Sequence, residues 1–502
     1  MISRAALIRS ALVLACLRAV RDMPVDVSVV TTLSLDLIDE SFLNYKSDCG
    51  TVNEVTFEGR TAIVGAGIAG LGAARRIQQS GGTPVVFEAA DRVGGRIKTI
   101  RRDGFVFDVG AFIYLGSYGE SVQEMREVGL GPQMHKFNAF GAMPRGGELN
   151  FLDLSKPLSL LRTPYLSGRA KLKLAKLLLF LAKHWKDLNY ADASGVAAID
   201  TDTVTTYSRR ELNDEILDYV AAVVVRGPWL SDPSYASVGQ LLWTMKNFFK
   251  PYFYGLDDGM DALPRAMAAQ LNDVRLATAV TNVTDAGERV EVTFVRDGRE
   301  RTEEFANAVV TTTTGTALEI CPQISGFARE YYQNTDYICS VNCHIALSER
   351  PANPATYIMC SPREQPDLCG VIVDHLKANN RCPDDKGMIT TFCRHEWCLD
   401  NLESPDEKVV DAVLGFVKPY YGDLSSKVVD YEIGRWRNVV PIMRKGRFHA
   451  VDRFMRETDP NVRVQLAGDI GPIPGVNGAL VSGQAAGDRI VDQLAATRSV
   501  RA

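Results

Sequence analysis

No stretch of the 502 residues is apolar for long enough to form a membrane-spanning helix. Neither sign of charge is in excess. Lys plus Arg number 56 against 61 Asp plus Glu, a net charge of −5, which leaves no electrostatic footprint for nucleic acid. Internal repeats and low-complexity tracts are missing, which excludes repeat architectures and biased tails. There is no Gly-x-Ser-x-Gly elbow and no phosphate loop ending in Gly-Lys-Ser/Thr, so two large groups of enzymes have no anchor here. His395-Glu396-Trp397-Cys398-Leu399 begins like a zinc helix but lacks the second His. Cys393, His395 and Cys398 have no fourth ligand at suitable spacing. A structural cluster is the better reading of these residues and of Cys339, Cys343 and His344, and no metal is expected. The ten cysteines are scattered and form no short disulfide framework. They read as reduced, buried, small apolar residues. The chain is therefore expected inside the cell, in the cytoplasm first, with an organellar or exported location through its N-terminal segment as the alternative.

What remains is an ordinary globular composition, 46% hydrophobic and 23% charged, long enough for two or three domains' worth of core. One pattern stands out. Arg60-Thr61-Ala62-Ile63-Val64 reads as a buried strand. Gly65-Ala66-Gly67-Ile68-Ala69-Gly70 follows, and then Leu71 to Ile77 reads as a helix. Pro84-Val85-Val86-Phe87 reads as a second buried strand that ends at Glu88. This is a complete βαβ dinucleotide-binding unit in the right order. Gly65 permits the tight turn, Gly67 admits a pyrophosphate to the backbone, and Gly70 lets helix and strand pack closely. The free N–H groups and positive end of the helix hold the pyrophosphate. Glu88 accepts hydrogen bonds from a ribose hydroxyl pair. The unit alone does not say which dinucleotide. Only one such unit is present, so a separate NADPH domain is not suggested.

The following residues extend the pattern. Asp91-Arg92-Val93-Gly94-Gly95-Arg96 comes directly after the acid, and Phe107-Asp108-Val109-Gly110-Ala111 a little later. Near the C-terminus stand Val464 to Asp469 and then Gly475-Val476-Asn477-Gly478-Ala479-Leu480-Val481-Ser482-Gly483. In this order they resemble the flavin amine oxidase superfamily, which includes amine oxidases, protoporphyrinogen oxidases and phytoene-desaturase-like enzymes. The resemblance spans roughly residues 59 to 495. It implies an α/β fold: a Rossmann-like FAD-binding domain of the GR2 type with an inserted mixed α+β substrate domain. It also implies a set of FAD contacts. Gly65, Ala66, Gly67, Ala69 and Gly70 belong to the first turn, and Glu88 and Ala89 to the ribose end. Gly95 and Arg96 lie against the pyrophosphate, and Gly110 and Ala111 beside the flavin ring. Val280 contacts adenine through its backbone. Gly468 and Asp469 meet the phosphate and ribityl chain, and Val476 opens the helix aimed at the flavin's pyrimidine edge.

By this reading the FAD-binding domain is discontinuous, at 59–150, 265–320 and 445–497, and residues 151–264 and 321–444 build the substrate domain. Within the middle piece, Arg289 to Val295 alternates as a half-buried strand and Asp297-Gly298-Arg299 gives a hairpin turn. Residues 1–58 form an N-terminal extension with no match in the family core. They are rich in Arg and poor in acid at the start, and the bland reading is an extension without a catalytic role. Leu174, Leu177, Leu178, Leu181 and Trp185 fall on one helical face, with lysines opposite. This is either a helix on the membrane surface at a lipophilic entrance, hence a peripheral membrane contact, or, favoured, an ordinary solvated helix packed on the substrate domain. Oligomeric state is not legible.

Two departures from the family bear on mechanism. Some members attach FAD through a Cys near the closing motif, but no Cys follows Cys398, so non-covalent FAD is expected. Many amine oxidases carry a Lys in a substrate-domain strand. The matching strand, Cys339 to Leu347, has Asn342 where that Lys is expected. Catalytic residues are unassigned, and little acid–base machinery is required if the flavin takes a hydride. Trp436 and Tyr254 are the candidate substrate contacts, Tyr254 closing an aromatic run from Trp243. The expected function is an FAD-dependent oxidoreductase. It removes a hydride from a C–N or C–C bond of a largely apolar small molecule, with oxygen or a quinone-like acceptor reoxidising the flavin. The alternatives are a redox-neutral double-bond isomerase of a polyene or fatty acid and, more distantly, a non-catalytic flavin-fold binding protein.

Overall fold

The protein's structure, a computed structural model, describes residues 59–138, 140–153, 162–250 and 252–501. The readings for residues 1–58 lie outside the described residues. Five parallel strands form the first sheet: β1 (Arg60–Val64), β2 (Thr83–Phe87), β3 (Val274–Arg275), β4 (Asn307–Val310) and β5 (Val464–Leu466), in the order β3-β2-β1-β4-β5. The central members are runs of Val, Ile and Ala buried on both faces, as a parallel sheet covered by helices requires. Helix α1 (Ile68–Gln79) covers one face. The final helix, α3 (Val476–Arg501), lies along it. Small residues bring the two helices together. A Cβ at Gly483 would stand 2.0 Å from the Ala69 carbonyl oxygen, and one at Gly72 would stand 2.8 Å from Leu480 Cδ1.

Three further strands, Thr278–Asp285, Val290–Arg296 and Arg299–Phe305, form an antiparallel meander. Its second turn is the expected hairpin. Asp297 and Gly298 both adopt positive φ, +53° and +70°, as a type I′ turn demands. Between these regions lies a seven-stranded sheet made mostly from residues 340–436. Strands Phe140–Arg145 and Glu148–Asp153 also join it. The boundary expected at residue 150 therefore falls inside a strand of the other sheet, and the change of sheet comes earlier. The cause is local packing: Gly141 pairs with Tyr357, and a Cβ there would meet that ring at 2.1 Å.

The amphipathic stretch forms helix α2 (Gly168–Lys183), capped by the Ser167 hydroxyl, which accepts from the Ala170 N–H at 3.1 Å. Leu174, Leu177 and Leu181 are buried. Leu178 and Trp185, read from the sequence as part of the same face, are more than one third exposed. Lys173 and Lys176 are tied to Glu211. The eight described cysteines are buried and unpaired. His395 accepts the Cys339 N–H at 2.8 Å through Nδ1, which gives that cluster a structural occupation.

Candidate functional site

The site grows out of the carboxyl edge of the parallel sheet. The chain leaves β1 through Gly65, at φ +103°, where a side chain would strike Thr311 Oγ1 at 2.8 Å. Gly67 then caps α1. A Cβ on Gly67 would meet no protein atom within 4 Å, so the space beside it is open to a ligand. Gly70 serves a different purpose. Its Cβ would stand 1.9 Å from the Gly65 carbonyl oxygen, so helix and strand touch there and Gly70 does not line the cavity. Ala66 is buried and also off the cavity wall. Its N–H donates to Glu88 Oε2 at 2.8 Å, while the Ala90 N–H donates to Oε1 at 2.9 Å. Glu88 thus locks the turn from the end of β2, and it lines the cavity with its neighbour Ala89 and with Val280.

The second glycine pair lies against the first turn. The Gly94 N–H donates to the Ala66 carbonyl at 2.8 Å, and a Cβ on Gly95 would sit 3.5 Å from Gly67 Cα. Arg92 fastens this loop by donating to the Gly95 carbonyl at 2.8 Å. Arg96 reaches across to Asp469 and donates to the Val439 carbonyl at 2.8 Å. Asp469 is 3% exposed, and its Oδ1 has no protein partner. Gly468, at φ +132°, places that carboxylate, and Val476 starts α3 beside it. A buried carboxylate oxygen facing a cavity calls for a hydroxyl or N–H donor from a ligand. Together with the open cradle at Gly67 and the start of α1 behind it, this edge fits a dinucleotide with a polyol linker.

The cavity along this edge has a volume of about 650 Å³ and continues into a chamber of different character. One wall of the chamber is the seven-stranded sheet, which presents Ser340 and Asn342, Phe392 and Trp436 from three adjacent strands. Asn342 accepts from the Ser340 hydroxyl at 2.5 Å. Another wall is helical, with Trp229, Thr244, Asn247 and Phe248. The segment Gly110-Ala111-Phe112 runs between the two halves. It is wedged tightly: a Cβ on Gly110 would stand 2.0 Å from the Arg96 carbonyl oxygen. The charged residues lining the whole cavity are Glu88, Arg92, Arg96 and Asp469, and all four are accounted for at the dinucleotide edge. The chamber's own polar groups are neutral.

Most expected site residues come together here: Gly65, Gly67, Ala69, Glu88, Ala89, Gly95, Arg96, Gly110, Ala111, Val280, Gly468, Asp469, Val476 and Trp436 line the one cavity. Trp436 also donates its indole N–H to the Val109 carbonyl at 2.5 Å. Tyr254 does not belong to the site. It lies on strand Tyr252–Leu256 opposite Tyr114 and Lys136, with its ring edge-on to Tyr252. Alternation along that strand turns Phe253, its neighbour, inward instead.

Behind the Gly110 segment is a buried charge cluster that sequence reading missed. Asp108 accepts from the Thr99 hydroxyl at 2.8 Å and the Met260 N–H at 2.9 Å, and it pairs with Lys377 and Arg381. Lys377 also meets Asp374 at 2.7 Å and donates to the Phe112 carbonyl at 3.0 Å. Burial alone pushes the Asp108 carboxyl up. Arg381 and Lys377 beside it outweigh this and hold it below the usual carboxylate range. Asp374 accepts from the Thr390 hydroxyl at 2.5 Å, and His344 Nδ1 lies 2.7 Å from that same oxygen. The Thr390 proton is spent on Asp374, so His344 donates from Nδ1. Burial pushes His344 down to about 4.

A family model for flavin-containing amine oxidoreductases matches residues 68–491. The chain belongs to that family. It is a flavin-dependent oxidoreductase, and the dinucleotide edge is where its flavin fits. Among curated relatives of this amine oxidoreductase, the mitochondrial protoporphyrinogen oxidase of Nicotiana tabacum is 27% identical over 201 residues, 39% of this chain and 38% of that protein. The 4,4'-diapophytoene desaturase of Staphylococcus haemolyticus is 36% identical over 86 residues, 16% of this chain and 17% of that protein. The chain thus aligns with well under half the length of these relatives. Solved structures align over far more. Putrescine oxidase bound to putrescine superposes with a TM-score of 0.71 at 18% identity, over 86% of this chain and 99% of that one. Cyclohexylamine oxidase from Brevibacterium oxydans gives 0.71 at 15% identity, over 87% and 100%. A fatty acid isomerase from P. acnes gives 0.65 at 16%, over 86% and 98%. These likenesses fix the fold: a Rossmann-like FAD-binding domain joined to a substrate domain of mixed helix and sheet.

Proposed function

We propose that this amine oxidoreductase holds FAD without a covalent bond and oxidises a C–N or C–C bond of a largely apolar, uncharged small molecule. The observation that carries this is the charge-free chamber. A bare ammonium or carboxylate entering it would lose its water and find no counter-charge, which costs several kcal/mol. A substrate containing nitrogen enters in its neutral form. None of the described cysteines lines the cavity, and this supports non-covalent attachment.

When bound, the flavin supplies hydride acceptance, with oxygen or a quinone-like molecule removing the electrons afterwards. The chain's own residues hold, orient and dry the reactants. The two glycine turns and Asp469 fix the dinucleotide. Trp436 and Phe392 form an apolar wall, and Ser340 and Asn342 offer one neutral polar anchor. Lys377, from behind, steadies the Phe112 carbonyl and with it the segment between the two halves. A dry, shaped pocket of this kind brings reacting atoms to about 3–3.5 Å.

The test is anaerobic mixing of the flavin-loaded protein with a panel of neutral amines, porphyrinogens and polyenes, followed by absorbance near 450 nm (roughly the flavin maximum). Stable bleaching by apolar members supports the reading. Bleaching only by small hydrophilic amines overturns the apolar substrate class. Turnover without bleaching or oxygen uptake overturns net oxidation in favour of redox-neutral isomerisation. Acid precipitation that leaves the yellow colour in the pellet overturns non-covalent attachment.

A further inference from the structure

Of the neutral polar groups in the chamber, one has a fixed direction. Asn342 stands on the strand Ser340–Leu347 and lines the cavity together with Ser340, while Val341 and Cys343 turn to the core behind. Phe392 and Gly434 flank it on the neighbouring strands, so its backbone is held from both sides. Gly434 packs on the segment that runs between the two halves of the cavity: a Cβ there would strike the Val109 carbonyl oxygen. Asn342 therefore sits where the chamber meets the dinucleotide edge. The Ser340 hydroxyl donates to its Oδ1 at 2.5 Å. Ser340 is 1% exposed, and its hydroxyl has no other acceptor among the described residues. Turning the amide over would put Nδ2 against that hydroxyl and leave a buried O–H without an acceptor, which is unfavourable. The amide is thereby set: its oxygen faces Ser340, and its two N–H donors face the cavity. Nδ2 has no partner among the described residues. Asn247, on the helical wall, shows the contrast. Its amide has no partner among the described residues that would fix which end it presents.

We propose that Asn342 determines specificity by donating to an uncharged lone pair on the substrate, a carbonyl or ether oxygen or a neutral amine nitrogen. Ser340 is the positioning residue that keeps the donors forward. The inference rests on the reading of the chamber as a site for apolar, uncharged molecules, and it narrows that reading. A ligand that covers Asn342 with hydrocarbon strips water from its N–H groups and gives nothing back. A ligand with an acceptor there restores the bond. A site built to hydrogen-bond its substrate rejects analogues that lack the group. A pure hydrocarbon is therefore a poor fit, and an otherwise apolar molecule with a neutral acceptor is a good one.

The test uses two probes of matched shape, acetophenone and α-methylstyrene, which differ by a carbonyl oxygen against a methylene. Each is titrated into flavin-loaded protein, and binding is read from the perturbed flavin spectrum. Comparing the ratio of their dissociation constants between proteins cancels their different affinities for water. Asn342→Leu should weaken acetophenone and leave α-methylstyrene as tight or tighter, shifting the ratio roughly 10- to 100-fold. Ser340→Ala should shift it part of the way. Ser340→Thr, which keeps the hydroxyl, should leave it near the wild-type value. A residue that merely shapes the wall would move both probes together. Flavin content and melting temperature are measured in parallel, and if Asn342→Leu loses its flavin the two Ser340 variants decide. Three results overturn the assignment: neither probe binds the wild type, both probes change together in Asn342→Leu, or Ser340→Ala and Ser340→Thr give the same ratio. Because no turnover is involved, the outcome is separate from the reaction. Bleaching by apolar compounds with an unmoved ratio would sink the donor and keep the oxidation. A moved ratio with no bleaching by any apolar compound would do the reverse.

Discussion

The two ends of the cavity are built by opposite means. At the dinucleotide edge the protein contributes backbone. Glycine turns at 65–67 and 94–95 fold back on one another, one acid locks the first of them, and a helix begins beside the open space at Gly67. At the chamber end it contributes side chains, drawn from strands and helices far apart in sequence and almost wholly uncharged. A backbone site is unforgiving of added atoms but indifferent to most neighbours. A side-chain site tolerates single changes and is defined by the sum of its walls. The chemistry common to a family belongs to the first kind of construction and the choice of substrate to the second.

The largest expected effect breaks the backbone end. Gly67→Val should abolish flavin binding while the fold survives, because a Cβ there collides with no protein atom. Flavin-to-protein ratio and circular dichroism together check this; a yellow, fully loaded variant would contradict the cradle. Next comes the support behind the chamber. His344 is held at about 4 in the folded chain against 6.5 for a free imidazole. Between those values only the unfolded chain binds the proton. Stability from this group is therefore complete above about pH 6.5 and is lost as pH falls toward 4, by about 3 kcal/mol in all. His344→Phe should flatten the fall in unfolding free energy between pH 7 and 4.5, measured with denaturant. An unchanged slope would show that the cluster does not hold His344 neutral.

Glu88→Ala should weaken flavin binding by about 2 kcal/mol, the value of a hydrogen bond to a charged group, without abolishing it, as read by titrating apoprotein with FAD. The smallest contrast separates two aromatics. Trp436→Ala should lower turnover of an apolar substrate more than it lowers thermal stability, because Trp436 lines the chamber. Tyr254→Ala should leave turnover intact while lowering thermal stability, because that ring packs against Tyr252 and the core away from the cavity. Parallel losses in both variants would erase the distinction between wall and core.

The same contrast explains what could be read before the fold was known. The dinucleotide edge was legible because its parts lie close in sequence and each is dictated by backbone geometry. Gly65, Gly67, Glu88 and Gly95 fall within about thirty residues of one another. The chamber was legible only in fragments. Trp436 was found, while Phe112, Phe392 and Phe248 take their places through strand pairing and helix packing that no local pattern records. The residue expected to meet substrate from strand 252–256, Tyr254, lines no part of the main cavity. A strand turns neighbours to opposite faces, so Tyr254 packs on Tyr252 while Phe253 is buried against Phe137 and Tyr357. Lys377 left no signal either, since its partner Asp108 lies 269 residues earlier.

The closeness of α1 and α3 has a consequence for how the molecule comes into being. The glycine turn at 65–70 emerges early from the ribosome, but Asp469, Val476 and the helix that packs on Ala69 come about four hundred residues later. At roughly 5–20 residues per second the first half of the flavin site waits about 20–80 s for its second half. The nascent chain cannot close on its cofactor during that interval. Loading is thus a late event, and a chain cut short before α3 should never turn yellow, however completely its first strands and helices have formed.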